Sequence, residues 1–438
     1  MCGLFYGSNK MATDVDVQYF SHLNGLTLGN NWGDLIRLLD KALVTGIDFT
    51  QITAASIDDQ GCVYLTLYAA HQCMLLQVVE LDGFIPSELN QRYRIKGIPS
   101  SNQLILKPKN DLSATSIAIT GTAKLAPLGY DIAFRDVNDV KRVYRAQDPT
   151  VQHPFIRIDE STASDTGAYT STYAKFAMVG LLEHMDHIDD FENPDILQLP
   201  FAPNDPAKNW RITGVGGDVV RGWSKWYWAC ARTGGTTFVE SSPPIMGNRP
   251  FTLCGDKDSF YLMTTIGDIN NAIQYRSRRL YGAGLFTSSL KTDVIPPWFL
   301  MTTIAESSAS TNKALNEIEG GVPLGVNEGV ARIFIPNFTE ASSLSHHTSA
   351  SPILPNYLSG RTDIFKNSVP GALEVPFSDQ DFKLRGTLQH ILFRGVNSPV
   401  SETTVSLANA SMYIADCQEV NWSSNFYNAV NFYLGELE

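Results

Sequence analysis

The stretch His184-Met185-Asp186-His187-Ile188-Asp189-Asp190 holds the densest set of groups able to do chemistry. Two imidazoles with Asp186, Asp189 and Asp190 among and beside them are the donor types that bind a divalent cation. The His-Glu-x-x-His pattern of a metalloprotease helix is not there. In an extended chain, successive positions also point to opposite sides, so His184, Asp186 and His187 would not converge. An acidic, solvated loop is the competing reading, and no metal or other cofactor is expected. A second constellation is Trp223-Ser224-Lys225-Trp226-Tyr227-Trp228. Trp226 and Trp228 are two apart and share one face of a strand. Exposed, such a pair could stack on the apolar faces of sugars; buried, it would fill a core or an inter-domain contact. A third is Gly214-Val215-Gly216-Gly217-Asp218. It lacks the spacing of a phosphate cradle and reads as a tight turn or bulge.

A hydrolase needs a nucleophile, a base and an orienting acid. Ser, His and Asp are plentiful enough for a triad on paper, yet no Gly-x-Ser-x-Gly elbow occurs. Paired glycosidase carboxylates leave no mark that sequence alone can locate. No enzymatic activity is expected. The six cysteines are scattered without zinc spacing. They read as small buried hydrophobes with free thiols, although Cys62 and Cys73 fall on candidate neighbouring strands and could face each other.

The elements that must position these groups are mostly strands. One helix is predicted over residues 34–44, where Leu35, Leu38, Leu39, Ala42 and Leu43 recur at three- and four-residue steps. Asn31 or Asp34 can cap its start, and Gly46 stops it. Short β-branched or aromatic runs follow at 61–67, 74–81, 93–98, 103–107 and 116–120, each closed by turn residues. Further strands are predicted at 140–145, at 155–159 as a half-buried strand, and at 236–239, 251–253 and 259–265. The fold class expected is mainly β with a few short helices, built as several small antiparallel sandwich or barrel modules. The layout is an N-terminal arm without its own core (1–27), a helix plus β-module (28–134), a β-rich central domain (135–300) and a loop-rich β C-terminal domain (301–438).

Composition agrees. Of 438 residues, 43% are hydrophobic and only 18% charged, with 33 Gly and 22 Pro, the balance of a globular β-rich protein. A net charge of −12 argues against wrapping nucleic acid, and the one basic cluster, Arg276-Ser277-Arg278-Arg279, suits a solvated face or a salt bridge better. No apolar run approaches a membrane span, so no membrane insertion is expected. The first seven residues lack the basic and apolar regions of a secretory signal, which suggests synthesis in a cytoplasm.

The segment Trp32-Gly33-Asp34-Leu35-Ile36-Arg37-Leu38-Leu39-Asp40-Lys41-Ala42-Leu43-Val44-Thr45-Gly46 resembles the start of a group of bacteriophage virion proteins. In that group a similar helix leads into a β-module. Here the module continues through His71, the Gly83-Phe84-Ile85-Pro86-Ser87-Glu88-Leu89-Asn90 turn and the Tyr93 strand. Further matches in the same order are Tyr144-Arg145-Ala146-Gln147-Asp148-Pro149, Ile156-Arg157-Ile158-Asp159-Glu160, Arg249-Pro250-Phe251-Thr252-Leu253, Ser259-Phe260-Tyr261-Leu262 and Tyr281-Gly282-Ala283-Gly284-Leu285-Phe286. They cover roughly the first two thirds of the chain. Within the group, length and layout are most similar to the tail-sheath protein of short-tailed phages of the Schitoviridae type. The resemblance implies a structural protein of the virion tail, made in the host cytoplasm. It implies a ring of identical subunits around the tail tube, touching tube or portal-proximal proteins, with a receptor on the bacterial surface as a further partner it would allow. The alternatives are a tail-borne adhesin, for which Trp226 and Trp228 would be the contact face, or a polysaccharide hydrolase.

Overall fold

The computed structural model describes residues 13–162, 173–213, 220–233, 237–240, 242–267, 278–291, 295–304, 312–314, 333–337, 347–353, 373–396, 403–421 and 426–437. Among these the protein is mainly β, and every strand pairing is antiparallel, as the short alternating runs predict. Three sheets carry the architecture, with two minor ones beside them.

The N-terminal sheet has seven strands in the order Ile47–Asp48, Thr122–Leu125, Val78–Asp82, Arg92–Ser100, Gln103–Pro108, Val63–Leu67 and Ile52–Ile57. Its two end strands are consecutive in the chain and joined through 49–51, so the sheet curls towards closure as a half-barrel. The strand expected at 116–120 reduces to one bridge, Ile85 to Ile119, and Thr122–Leu125 takes its place in the sheet. The middle sheet, also of seven strands, orders Thr303–Ile304, Ser224–Ala229, Lys175–Leu182, Phe155–Asp159, Lys141–Ala146 and Tyr130–Arg135, with Gln198–Leu199 on its flank. The large sheet has thirteen strands and runs from Gln18–Ser21 through Phe251–Gly255, Ser259–Thr265, Arg278–Leu285 and Trp298–Met301 to the C-terminal strands, ending at Thr404–Ala408.

Three of the expected boundaries do not hold as breaks. Residues 13–27 have a core: Val15, Tyr19 and Phe20 are fully buried, and Gln18–Ser21 pairs with Phe251–Gly255. The isolated aromatics of this stretch belong to an inserted strand. Tyr19 packs into the core on one side of the large sheet and Phe20 into that on the other. The boundary at 134 falls inside the strand Tyr130–Arg135, and the one at 300 inside Trp298–Met301, which pairs with Ile333–Pro336. Residues 1–12 lie outside the described residues, as does most of the loops expected at 305–329 and 340–362. The described parts of those loops include the strands Asn312–Ala314 and His347–Pro352.

Phe155–Asp159 is buried along its whole length, where alternation predicts a half-buried strand. The charged positions are internally compensated. The Arg157 guanidinium sits 3.1 Å from the Asp159 carboxylate and lies over the Trp210 ring at 4.3 Å. A paired charge on an aromatic face can be buried at far lower cost than a bare one.

Candidate functional site

The helix forms where its apolar spacing predicts, as an α-helix over Asp34–Leu39 that widens into a π-helical turn over Asp40–Thr45. Leu35, Ile36, Leu38, Leu39, Ala42 and Leu43 are buried in the largest core, which also takes side chains from all three sheets. Asp34 shapes the entry by accepting from the Gly29 and Asn31 N–H groups at 3.1 and 3.0 Å. The first-turn amides are capped from far away. Both carboxylate oxygens of Glu160 are used, one accepting from the Ile36 N–H at 2.7 Å and the other from the Gly33 N–H. These donors would otherwise lack partners in a buried helix end. Glu160 is fully buried, and that burial outweighs its two N–H donors and pushes its carboxyl up to about 8.

Two further groups reach the same helix. Tyr144 Oη donates to Asp40 Oδ1 at 2.8 Å, and Arg142 bonds both Asp40 oxygens at 3.1–3.2 Å and also pairs with Asp139. Arg249 donates to Asn30 Oδ1 at 2.7 Å and to the Gly29 carbonyl, holding the loop before the helix. At the other end Gly46 turns with φ +73°, its N–H donating to the Lys41 carbonyl, and a Cβ there would collide with the Leu125 carbonyl oxygen. The helix is therefore a junction that ties the N-terminal sheet to the middle sheet through Arg142, Tyr144 and Glu160. Sequence reading found the helix but not these partners, because contacts over more than a hundred residues have no local pattern. The one signal was a charged residue ending an apolar strand, as in Ile156-Arg157-Ile158-Asp159-Glu160.

A second polar junction forms at the turn Asp256-Lys257-Asp258. His153 Nε2 lies 2.9 Å from Asp258 Oδ1, and His390 Nε2 lies 2.9 Å from Asp256 Oδ2. Asp258 is held down to about 2, first by the hydrogen bond from His153 and then by Lys257. Thr150 Oγ1 is 2.9 Å from His153 Nδ1, which gives a hydroxyl, an imidazole and a carboxylate in sequence. With Nε2 donating to Asp258, Nδ1 has one lone pair, and the Thr150 backbone N–H already points at it from 2.9 Å. Thr150 Oγ1 in turn accepts from the Gln152 N–H. The arrangement closes a turn and leaves no free base for the hydroxyl.

The candidate metal residues do not gather. His184 Nε2 lies 3.0 Å from Asp186 Oδ1 on the surface, while His187 Nδ1 accepts from the Asp189 N–H. Asp189 is drawn away to Arg157 and Lys141, at 2.6 and 2.8 Å. Among the described residues no group of three or more His, Cys, Asp or Glu side chains is placed to hold a metal.

The aromatic face is corrected. Trp226 and Trp228 share a face as their spacing predicts, but it points inward, because Ser224–Ala229 is an interior strand of the middle sheet. Trp226 is 1% and Trp228 0% exposed, which leaves nothing for a sugar to stack on. The Trp226 indole stacks on Tyr281 and donates to the Met301 carbonyl at 3.0 Å, and Trp228 meets Trp32 edge-on. Lys225, just before Trp226, is buried beside Glu240 at 3.4 Å, and Tyr227, between the two indoles, donates to the same carboxylate. The glycine cluster at 214–217 lies outside the described residues.

Arg278 and Arg279 of the basic cluster are buried, and Arg278 pairs with Asp416. Cys62, Cys73, Cys230, Cys254 and Cys417 are free thiols. Burial pushes the Cys73 thiol up to about 12 and raises Cys62, Cys230 and Cys254, so none of these four is a poised nucleophile. No described helix is long and apolar enough to cross a membrane.

Two clefts lie on the N-terminal half-barrel. One of about 390 Å³ runs between residues 49–52 and 120–123, and another of about 250 Å³ is lined in part by Asn24, Phe49, His71 and Cys73. Neither a scan of protein-family models nor a search of curated proteins finds a match to the chain.

Proposed function

We propose that the chain is a structural protein of a bacteriophage tail, assembling as a ring or sheath of identical copies around the tail tube. Its neighbours in this reading are other tail proteins, and its location is the virion tail. The observation that carries it is the convergence on the helix. Tyr144, Glu160 and Arg249 belong to three separate motifs of the resemblance, and all three bond the helix or the loop that leads into it. Residues of the motifs that resemble the virion group thus build a junction between sheets, which suits a subunit that must stay rigid in an assembly. The reading requires no catalytic step.

Host attachment is a second role for the same subunit. It draws on Phe382, which is 90% exposed at a hairpin tip with φ +61°. The tip is stapled by Asp379, whose Oδ1 accepts from the Asp381 and Lys383 N–H groups at 3.0 Å. A large apolar side chain fixed in a left-handed turn is a costly feature in a protein with no partner.

The test is light scattering and negative-stain imaging of the purified protein, alone and with isolated tail tubes. Antibody labelling of purified virions accompanies it. Closed rings and labelled tails are expected. A protein that stays monomeric at every concentration, leaves tubes bare and is missing from virions would overturn the proposal.

A further inference from the structure

The chain from Ile47 to Ile57 is one bent run that serves both ends of the N-terminal sheet. Ile47 and Asp48 pair with Leu125 and Lys124, and the Phe49 N–H still donates to the Ala123 carbonyl at 2.9 Å. Beyond that bond the run turns away. The Gln51 carbonyl accepts from the Tyr68 N–H at 2.8 Å, and Ile52–Ile57 pairs with Val63–Leu67. The parting leaves the cleft of about 390 Å³ between 49–52 and 120–123. Both of its lips are strand edges. Among the described residues Ile52–Ile57 pairs on one side only, and Thr120 and Gly121 make no backbone hydrogen bond.

The charges around the cleft are uneven. The residues that line it include no ionisable side chain. Where the lips meet, it shares Phe49, Thr122 and Ala123 with a trough of about 270 Å³ that is lined also by Asp48, Glu80, Asp82 and Lys124. Glu80 is engaged by Lys124 at 3.3 Å and by Arg92 at 3.7 Å. Asp48 and Asp82 are exposed and make no ion pair among the described residues. At the open end, the Ile119 and Ile85 backbones are hydrogen-bonded to each other, and both side chains stand about half exposed.

We infer that this cleft docks an extended segment of a second protein, with an uncharged run, an apolar side chain at one end and a lysine or arginine at the other. Unpaired backbone on both lips calls for main-chain partners, which an extended peptide supplies along its whole length and a compact ligand does not. A charge enclosed by the uncharged lining would have no counter-ion, so the run is neutral. The two carboxylates at the closed end fix the sign of the end group, and Ile119 with Ile85 receives the apolar end. A second copy adding through an end strand does not meet this description. Of the end strands of the three main sheets only Tyr130–Arg135 has a basic residue, and Asp131 within it and Asp136 after it would face the cleft's own carboxylates.

Two capped peptides test this by titration calorimetry, acetyl-Val-Thr-Val-Thr-Lys-amide and acetyl-Lys-Thr-Val-Thr-Val-amide, because a strand can enter in either direction. One of them is expected to bind and to slow hydrogen exchange at 50–57 and 119–122 alone. Replacing its lysine by glutamate is expected to weaken binding about tenfold, and N-methylating its amides to abolish it. Asp48→Asn with Asp82→Asn, both on exposed side chains, is expected to remove the preference for lysine while binding persists. Failure of both peptides to bind at millimolar concentration, protection elsewhere on the chain, or equal binding by the N-methylated twin would overturn the inference. So would a lysine preference that survives in the double variant. Tighter binding by a peptide of residues 1–12 would also overturn it, by making this chain its own donor. None of these outcomes depends on whether the parent forms rings, so this site and the proposed tail assembly stand or fall separately.

Discussion

Glu160 shows how a single buried carboxyl sets a pH dependence. Its folded value, about 8, lies above the ordinary glutamate value of 4.5. Between those values the native protein holds a proton that the unfolded chain has released. The associated stability is fully present below about 4.5 and falls as pH rises through 8, by about 1.4 kcal/mol per unit across the window. Denaturant unfolding at pH 5, 7 and 9 is therefore expected to show the parent losing stability faster than Glu160→Gln. Parallel curves would remove Glu160 as the cause. Trp228 gives a second expectation at this scale. It is fully buried against Trp32, so Trp228→Ala is expected to cost about 3–5 kcal/mol in a denaturant titration. A variant with parental stability would mean that the indole lies at a surface after all.

The helix is the element on which distant parts of the chain meet, and its end depends on Gly46. A side chain there would be strained by φ +73° and would strike the Leu125 carbonyl of the neighbouring strand. Gly46→Ala is expected to destabilise by more than about 1 kcal/mol, read as a lower denaturant midpoint with unchanged slope. The other instructive element is Phe155–Asp159. Its alternation of apolar and charged residues is the pattern of a surface strand, yet it lies inside the middle sheet. Period-2 alternation reports that two faces differ; it does not report whether the polar face meets water or its own partners. Arg157 meets Asp159 on its own strand, and Asp189 and the Ile188 carbonyl on a loop elsewhere in the chain.

At the scale of the whole molecule, the N-terminal strand and the last strand are built into one body. Arg94 of the N-terminal sheet donates to the Asp14, Val17, Leu76 and Leu434 carbonyls, all within 3.1 Å. The Asp14 N–H donates to the Glu436 carbonyl at 3.0 Å. Removing residues 1–20 takes Tyr19 and Phe20 out of two cores and leaves the Arg94 guanidinium short of acceptors in a buried place. Loss of the cooperative melt is the expected result, followed by circular dichroism on heating. A truncated chain that still melts cooperatively and merely fails to assemble would restore the picture of a dispensable arm.

The sequence by itself determined the class of the fold and its local parts. Antiparallel strands, the helix over Asp34–Leu39 and its continuation, and the stop at Gly46 follow from period, turn chemistry and the conformational freedom of glycine, which act over a few residues. It also placed Trp226 and Trp228 on a common face, because side chains alternate along any strand. Only the tertiary structure decided which way that face points, that Glu160 caps a helix 124 residues before it, and that residues 13–27 are core. Those outcomes depend on which strands become neighbours, and neighbours are chosen by the burial of all the apolar faces together, a property no short stretch of chain carries.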